Sequence, residues 1–139
     1  MGDNTAAMLM TRGMAEMSRL VSARGGDPLT VMGLAGAGDL VATCTSRHSR
    51  NRTFGEYVAK GKTLEQYERE THMVVEGALA CKTIEPLASS YGVELPITRA
   101  VRSVVWDKAS IEETIMCLIG RPLTTEFWGL EHKGSIHAE

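Results

Sequence analysis

The side chains of this chain best suited to chemistry lie in residues 36–52: Gly36-Ala37-Gly38-Asp39-Leu40-Val41-Ala42-Thr43-Cys44-Thr45-Ser46-Arg47-His48-Ser49-Arg50-Asn51-Arg52. Asp39 follows glycines that leave its carboxylate accessible. Thr43 comes four residues later, which puts its hydroxyl on the same helical face as Asp39. Ser49 is a good helix cap, so a helix is expected to begin at Arg50. A helix start offers unpaired N–H groups and a partial positive charge, and both suit a phosphate. Arg50 adds a planar, bidentate donor and Asn51 adds an amide. Blander readings stand beside this one. Asp39 serves equally well as a plain helix cap. The commoner fate of residues such as Arg50 and Arg52 is a solvated surface charge. Gly36-x-Gly38 is not read as a nucleotide loop, because no strand precedes it and no third glycine follows in place.

Other chemistries find little support. The histidines His48, His72, His132 and His137 have no metal-ligand spacing, so no metal is expected and each is read as solvated or part of a tail. The three cysteines, Cys44, Cys81 and Cys117, are odd in number and widely spaced, which fits free thiols in a reducing compartment. A formal net charge of -2 gives no general attraction to nucleic acid or anionic lipid, so any anion site must be local. No apolar run approaches the roughly 20 residues that span a bilayer. Met1-Gly2-Asp3-Asn4 does not begin a secretory signal, and the expected location is the cytoplasm.

The elements that must position these residues read as helices. Apolar residues make up 43% of the chain and aromatics only 5%, with short β-branched runs. Asn4 is expected to cap a first helix that buries Ala7, Met10, Met14, Met17 and Val21 and ends at Gly25-Gly26. Asp27-Pro28 restarts the chain, and the glycine-rich stretch 33–38 is too weak for an isolated helix. The helix after Ser49 should stop at Gly61, and Thr63-Leu64-Glu65-Gln66 reads as a capping box. A pattern from about Val74 to Tyr91 contains Pro86, which should kink or split it. Thr98 is expected to cap a helix with Val101, Val104 and Val105 inward, and Ser110-Ile111-Glu112-Glu113 opens a last helix closed by Gly120. The methionines, at helical spacing, read as core filler. The sum is an all-α fold: one compact helical domain over residues 1–120, of about six or seven helices. Residues 121–139 form a tail anchored by Phe127 and Trp128.

Gly33-Leu34-Ala35-Gly36-Ala37-Gly38-Asp39-Leu40-Val41-Ala42-Thr43-Cys44-Thr45 followed by Ser49-Arg50-Asn51-Arg52 resembles the signature of bacterial-type, NAD(P)-dependent glycerol-3-phosphate dehydrogenases. The resemblance continues through Val74-Val75-Glu76-Gly77 and Gly92-Val93-Glu94-Leu95-Pro96-Ile97-Thr98, and at the front through Gly2-Asp3-Asn4-Thr5 and Thr11–Met17. It implies the helical C-terminal, substrate-binding domain of an enzyme that interconverts dihydroxyacetone phosphate and glycerol 3-phosphate by hydride transfer. By the same resemblance Asp39 borders the reacting carbonyl and holds a catalytic lysine, and Thr43 adds a hydroxyl there. Asp39, Ser49, Arg50 and Asn51 bind substrate, the last three holding its phosphate. Arg50, Val74 and Glu76 border NAD or NADP, and the full enzyme is a homodimer.

The resemblance also implies what these 139 residues lack. The family's Gly-x-Gly-x-x-Gly loop belongs to an N-terminal βαβ domain that binds most of the cofactor, and its acid–base lysine lies just upstream of residue 1. Lys60, Lys62, Lys82, Lys108 and Lys133 stand in no matching context. The 139 residues alone are therefore expected to be inactive, since general acid–base catalysis typically supplies about 10² to 10⁴ in rate. Two other readings stay open: a phosphate-ester-binding module without turnover, and a module that only self-associates.

Overall fold

The computed structural model describes residues 2–121, and within them the fold is all-α. The first helix, α1, spans Asp3–Ala23. A 3-10 turn over Pro28–Met32 and a π-helical turn over Leu34–Gly38 lead into α2, Asp39–Thr45. Then follow α3 (Arg50–Val58), α4 (Leu64–Thr71), α5 (Glu76–Ser90), α6 (Pro96–Trp106) and α7 (Ile111–Ile119). The seven α-helices among the described residues agree with the count expected from periodicity. The anchors proposed for the tail, Phe127 and Trp128, lie outside the described residues, as do His132, His137 and Lys133.

Local caps settle where several helices begin. Ser49 Oγ accepts from the Arg52 N–H at 3.2 Å, and Thr63 with Gln66 forms a reciprocal capping box. Asp27 accepts from the Leu29 N–H at 2.8 Å with Pro28 in the first helical position. At Ser110 only one half of the expected box is made, the Glu113 N–H donating to Ser110 Oγ at 3.3 Å. The end of α1 is a Schellman turn, with Gly25 at φ 80° and the Gly26 N–H reaching the Val21 carbonyl at 2.9 Å.

Other starts differ from expectation. α1 begins at Asp3 with Gly2 as its cap residue, so Asn4 lies inside the helix and caps nothing. α6 begins at Pro96 itself, and Thr98 is not its cap. The reason is tertiary. Glu16, buried on α1, accepts from the backbone N–H groups of Ile97 at 2.6 Å and Thr98 at 3.4 Å, and from the Thr98 hydroxyl at 3.3 Å. A carboxylate from another helix thus satisfies the orphan donors at the positive pole of α6. One turn earlier on α1, Arg12 donates to the carbonyls of Leu118 at 2.6 Å and Arg121 at 3.5 Å, at the negative pole of α7. α1 therefore ties down two helices with opposite charges at opposite helix ends.

The core also departs from the expected pattern. Phe54, Leu64, Tyr67, Val75 and Ala78 are buried together, with Tyr57, Val58, Val105 and Trp106 packed around them. Tyr67 meets Phe54 and Tyr57 edge-on at 5.4 and 5.3 Å. No described methionine is fully buried. On α1 the buried positions are Ala15, Glu16 and Ser18; Met10, Met14, Met17 and Val21 are only half-buried, and Ala7 is exposed. Helices that approach closely do so over short side chains, which leaves the long ones at the margin. Val101 is likewise exposed, while Val104 and Val105 are half-buried. Pro86 does not split its helix: α5 runs unbroken over Glu76–Ser90. Glu85 pins this stretch to α6 through Arg99 at 3.1 Å and Arg102 at 3.2 Å, offsetting the hydrogen bond that the proline removes.

Ser18 has a fully buried hydroxyl with no hydrogen-bond partner among the described residues. An unpaired buried polar group costs about 1–3 kcal/mol, and alanine is the better helix former. Ser18→Ala is expected to stabilise the chain by about 1 kcal/mol in urea unfolding. A loss of stability would mean that the hydroxyl does find a partner.

Candidate functional site

The segment from α2 into α3 folds back on the start of α5 and encloses an open cleft of about 350 Å³. Its lining is Ala42, Thr43 and Ser46 from α2 and its end, His48 and Ser49 from the loop, Arg50 and Asn51 from α3, and Glu76 from α5. Glycine chemistry makes this geometry possible at two points. A Cβ on Gly36 would overlap the Val31 carbonyl oxygen and come within 2.6 Å of the Val31 carbonyl carbon. The π turn can therefore lie against the 3-10 turn and deliver α2 only with glycine there. A Cβ on Gly77 would sit 2.7 Å from Asn51 Oδ1, the atom that accepts the Gly77 N–H at 3.3 Å. That bond locks the start of α5 onto the start of α3.

The cleft is built to offer donors. Ser49 uses its hydroxyl on the Arg52 N–H, so the backbone N–H groups of Arg50 and Asn51, the first two of α3, have no partner among the described residues. With its oxygen turned to Gly77, the Asn51 amide presents its NH2 group as a donor. Both α3 and α5 start at the cleft, so two positive helix ends converge there. Arg50 Nη2 lies 3.8 Å from Glu76 Oε1 with both side chains largely exposed, so this pair orients Arg50 without holding it firmly. Arg52 is not the solvated charge that its sequence suggested. Its guanidinium bonds Glu56 at 3.1 Å and the Thr45 carbonyl, closing the end of α2 against α3.

Of the residues singled out from sequence, Thr43, Ser49, Arg50, Asn51 and Glu76 come together in this one cleft. Asp39 and Val74 do not line it. Asp39 is the first residue of α2, one turn before Thr43; it is exposed, and its side chain caps no helix. Val74 is half exposed, two residues before α5. His48, set aside as solvated in the sequence, lines the cleft; its place next to Ser49 was the available signal. Burial pushes the Cys44 and Cys81 thiols above the usual range, so neither is an activated nucleophile. No group of acidic, histidine or cysteine side chains suited to a metal exists among the described residues.

Comparison with known proteins agrees with this architecture. Residues 1–116 match the family described as NAD-dependent glycerol-3-phosphate dehydrogenase C-terminus. A glycerol-3-phosphate dehydrogenase (NAD(P)+) of Mycobacterium tuberculosis is 51% identical over 121 residues, covering 87% of this chain and 36% of the relative. One from Chlorobium luteolum is 48% identical over 120 residues, 86% of this chain and 36% of the relative. The crystal structure of a glycerol-3-phosphate dehydrogenase from Coxiella burnetii superposes with a TM-score of 0.82 at 37% identity, over 86% of this chain and 37% of that one. The chain thus spans little more than a third of the length of these relatives. It belongs to the NAD-dependent glycerol-3-phosphate dehydrogenase family, and the part of that family it represents is the helical C-terminal domain.

Proposed function

We propose that the chain is the substrate-binding domain of an NAD(P)-dependent dehydrogenase acting on dihydroxyacetone phosphate and sn-glycerol 3-phosphate, and that the cleft at the start of α3 holds the substrate phosphate. The observation that carries this reading is the convergence of Arg50, the Asn51 amide and two helix starts on one open cleft. A phosphate is recognised by such a set: a bidentate cation, free backbone N–H groups and a positive helix pole. Ser49 shapes the helix start. Thr43 belongs to the same lining, and its hydroxyl near the reacting carbon is a role that rests on the family resemblance. Asp39, exposed and one turn away, borders the carbonyl and keeps a catalytic lysine charged and oriented, a role that rests on the family resemblance.

NAD(P) supplies the hydride when bound. Among the described residues no strand–glycine turn–helix unit exists to cradle a dinucleotide, so these residues fit only an edge of it. Arg50 suits its phosphates, Glu76 offers a polar contact, and Val74 provides an apolar rim beside them. No described helix is long and apolar enough to cross a membrane, and the proposed setting is the cytoplasm. The proposed assembly is a homodimer. Leu29, Met32 and Leu34 expose an apolar surface, Leu34 being 91% accessible, which favours self-association. Sedimentation of the chain over a wide concentration range should show this, and a sharp monomer throughout would remove the proposal.

The site itself is tested by calorimetric titration. Saturable binding of sn-glycerol 3-phosphate at millimolar ligand is expected, with none for glycerol. Arg50→Ala should weaken it at least tenfold, since hydrogen bonds to charged groups contribute about 1.5–3 kcal/mol. Equal affinity in the variant would end the assignment of the phosphate to this cleft.

A further inference from the structure

We infer that His48 is a phosphate-binding residue of this cleft, donating from its imidazole to the ester phosphate beside Arg50. The inference rests on the reading of the cleft as a phosphate site and adds a contact to it. Its starting point is the charge present there. A phosphate monoester carries a charge of about -1.5 to -2 near neutral pH. Among the described residues Arg50 is the one cationic side chain of fixed charge in the lining, and Glu76 sits 3.8 Å from it. Arg50 and Glu76 together bring no net charge, and among the described residues the lining contains no lysine. The two helix ends contribute only partial charge. A further donor in the lining strengthens the hold on a dianion.

His48 is placed to be that donor. It immediately precedes the Ser49 cap and lines the cleft together with Arg50 and Asn51. Its backbone N–H is already used, donating to Ser46 Oγ at 3.1 Å, which fixes the loop. Its ring has no partner among the described residues and is open to solvent. An imidazole carries at least one ring N–H in either protonation state, so a donor is always available. The remaining cleft hydroxyls, on Thr43, Ser46 and Ser49, are neutral donors, and two of them are held in place by accepting backbone N–H groups, Ser46 from His48 and Ser49 from Arg52.

The test compares His48→Ala, His48→Gln and Arg50→Ala in the full chain. Binding is read by calorimetry with sn-glycerol 3-phosphate and with inorganic phosphate, and the histidine ring signals are followed by NMR. Loss of one hydrogen bond to the phosphate should weaken binding about threefold to tenfold in His48→Ala. Glutamine keeps an N–H donor at similar reach and should restore most of that loss, which a purely structural role for the ring would not allow. The His48 ring signals should shift on titration while those of His72, outside the cleft, stay still. Wild-type affinity in His48→Ala, or unmoved ring signals, would overturn the inference; if Arg50→Ala still weakens binding, the phosphate site stands without it. Absence of saturable binding in the wild-type chain would overturn both.

Discussion

Glu16→Ala is expected to cost the domain about 2–4 kcal/mol, a loss that should lower Tm by roughly 10 °C in a chain of this size. Glu16 is a buried carboxylate that replaces the missing cap of α6, where Leu95 and Pro96 provide no side-chain acceptor. Alanine would orphan the N–H groups of Ile97 and Thr98 in a part-buried site and leave a void between α1 and α6. Burial, the largest influence, pushes the Glu16 carboxyl above its ordinary value of 4.5, against the lowering effect of the backbone N–H groups of Ile97 and Thr98 and of nearby Arg19. The folded chain therefore holds this proton to higher pH than the unfolded chain does. In the window between 4.5 and the raised folded value, stability falls as pH rises. Glu16→Gln keeps one acceptor oxygen and removes the titration. Its stability relative to wild type should improve as pH rises through that window, as read by thermal unfolding at a series of pH values. A gap that does not change with pH would show that the carboxylate is not desolvated.

Gly36→Ala should be as damaging and should also disturb the site. The added Cβ meets backbone atoms of Val31 rather than the end of a flexible side chain, so the turn itself must move. Overpacking of this kind costs about 1–3 kcal/mol, occasionally more. The strain falls on the π turn that hands the chain to α2, and α2 carries Ala42 and Thr43 to the cleft. Loss of stability should therefore come with weaker binding of glycerol 3-phosphate. Gly55→Ala is the control: it lies within α3, a Cβ there meets nothing within 4 Å, and a gain of about 0.5–1 kcal/mol is expected. Unfolding curves that coincide for Gly36→Ala and wild type would contradict the close approach at Val31.

What could be read from sequence depended on how local its cause was. Ser49, Asp27 and Thr63 were legible as caps because each bonds a backbone group two or three residues away. Thr98 was misleading for the opposite reason. It has the residue type of a cap, but its partner is Glu16, 82 residues away. Arg12 and Glu16 are one turn apart on α1 and look like a local ion pair, yet each is turned to a different distant helix end. The methionine spacing on α1 fixed a helix and not its buried face, since contact with neighbouring helices runs over Ala15 and Ser18. Within the site, residues 43–51 were recognisable because they are contiguous along the chain. That Glu76 lies opposite Arg50 needs the fold, and so does the exclusion of Asp39 and Val74 from the lining. His48 was passed over because a lone histidine carries no metal-ligand spacing; its place next to the Ser49 cap was the one signal, and the shape of the cleft gives it a role.

In the proposed complex the phosphate of the substrate rests on the start of α3. The most direct measurement is a map of backbone amide shifts in the 15N-labelled chain during titration with sn-glycerol 3-phosphate. The largest changes are expected at Arg50 and Asn51, the first two residues of α3, with smaller ones at Glu76 and Gly77 and none around His72 or along α7. Saturable shifts that centre elsewhere, with the amides of Arg50 and Asn51 unmoved, would contradict it.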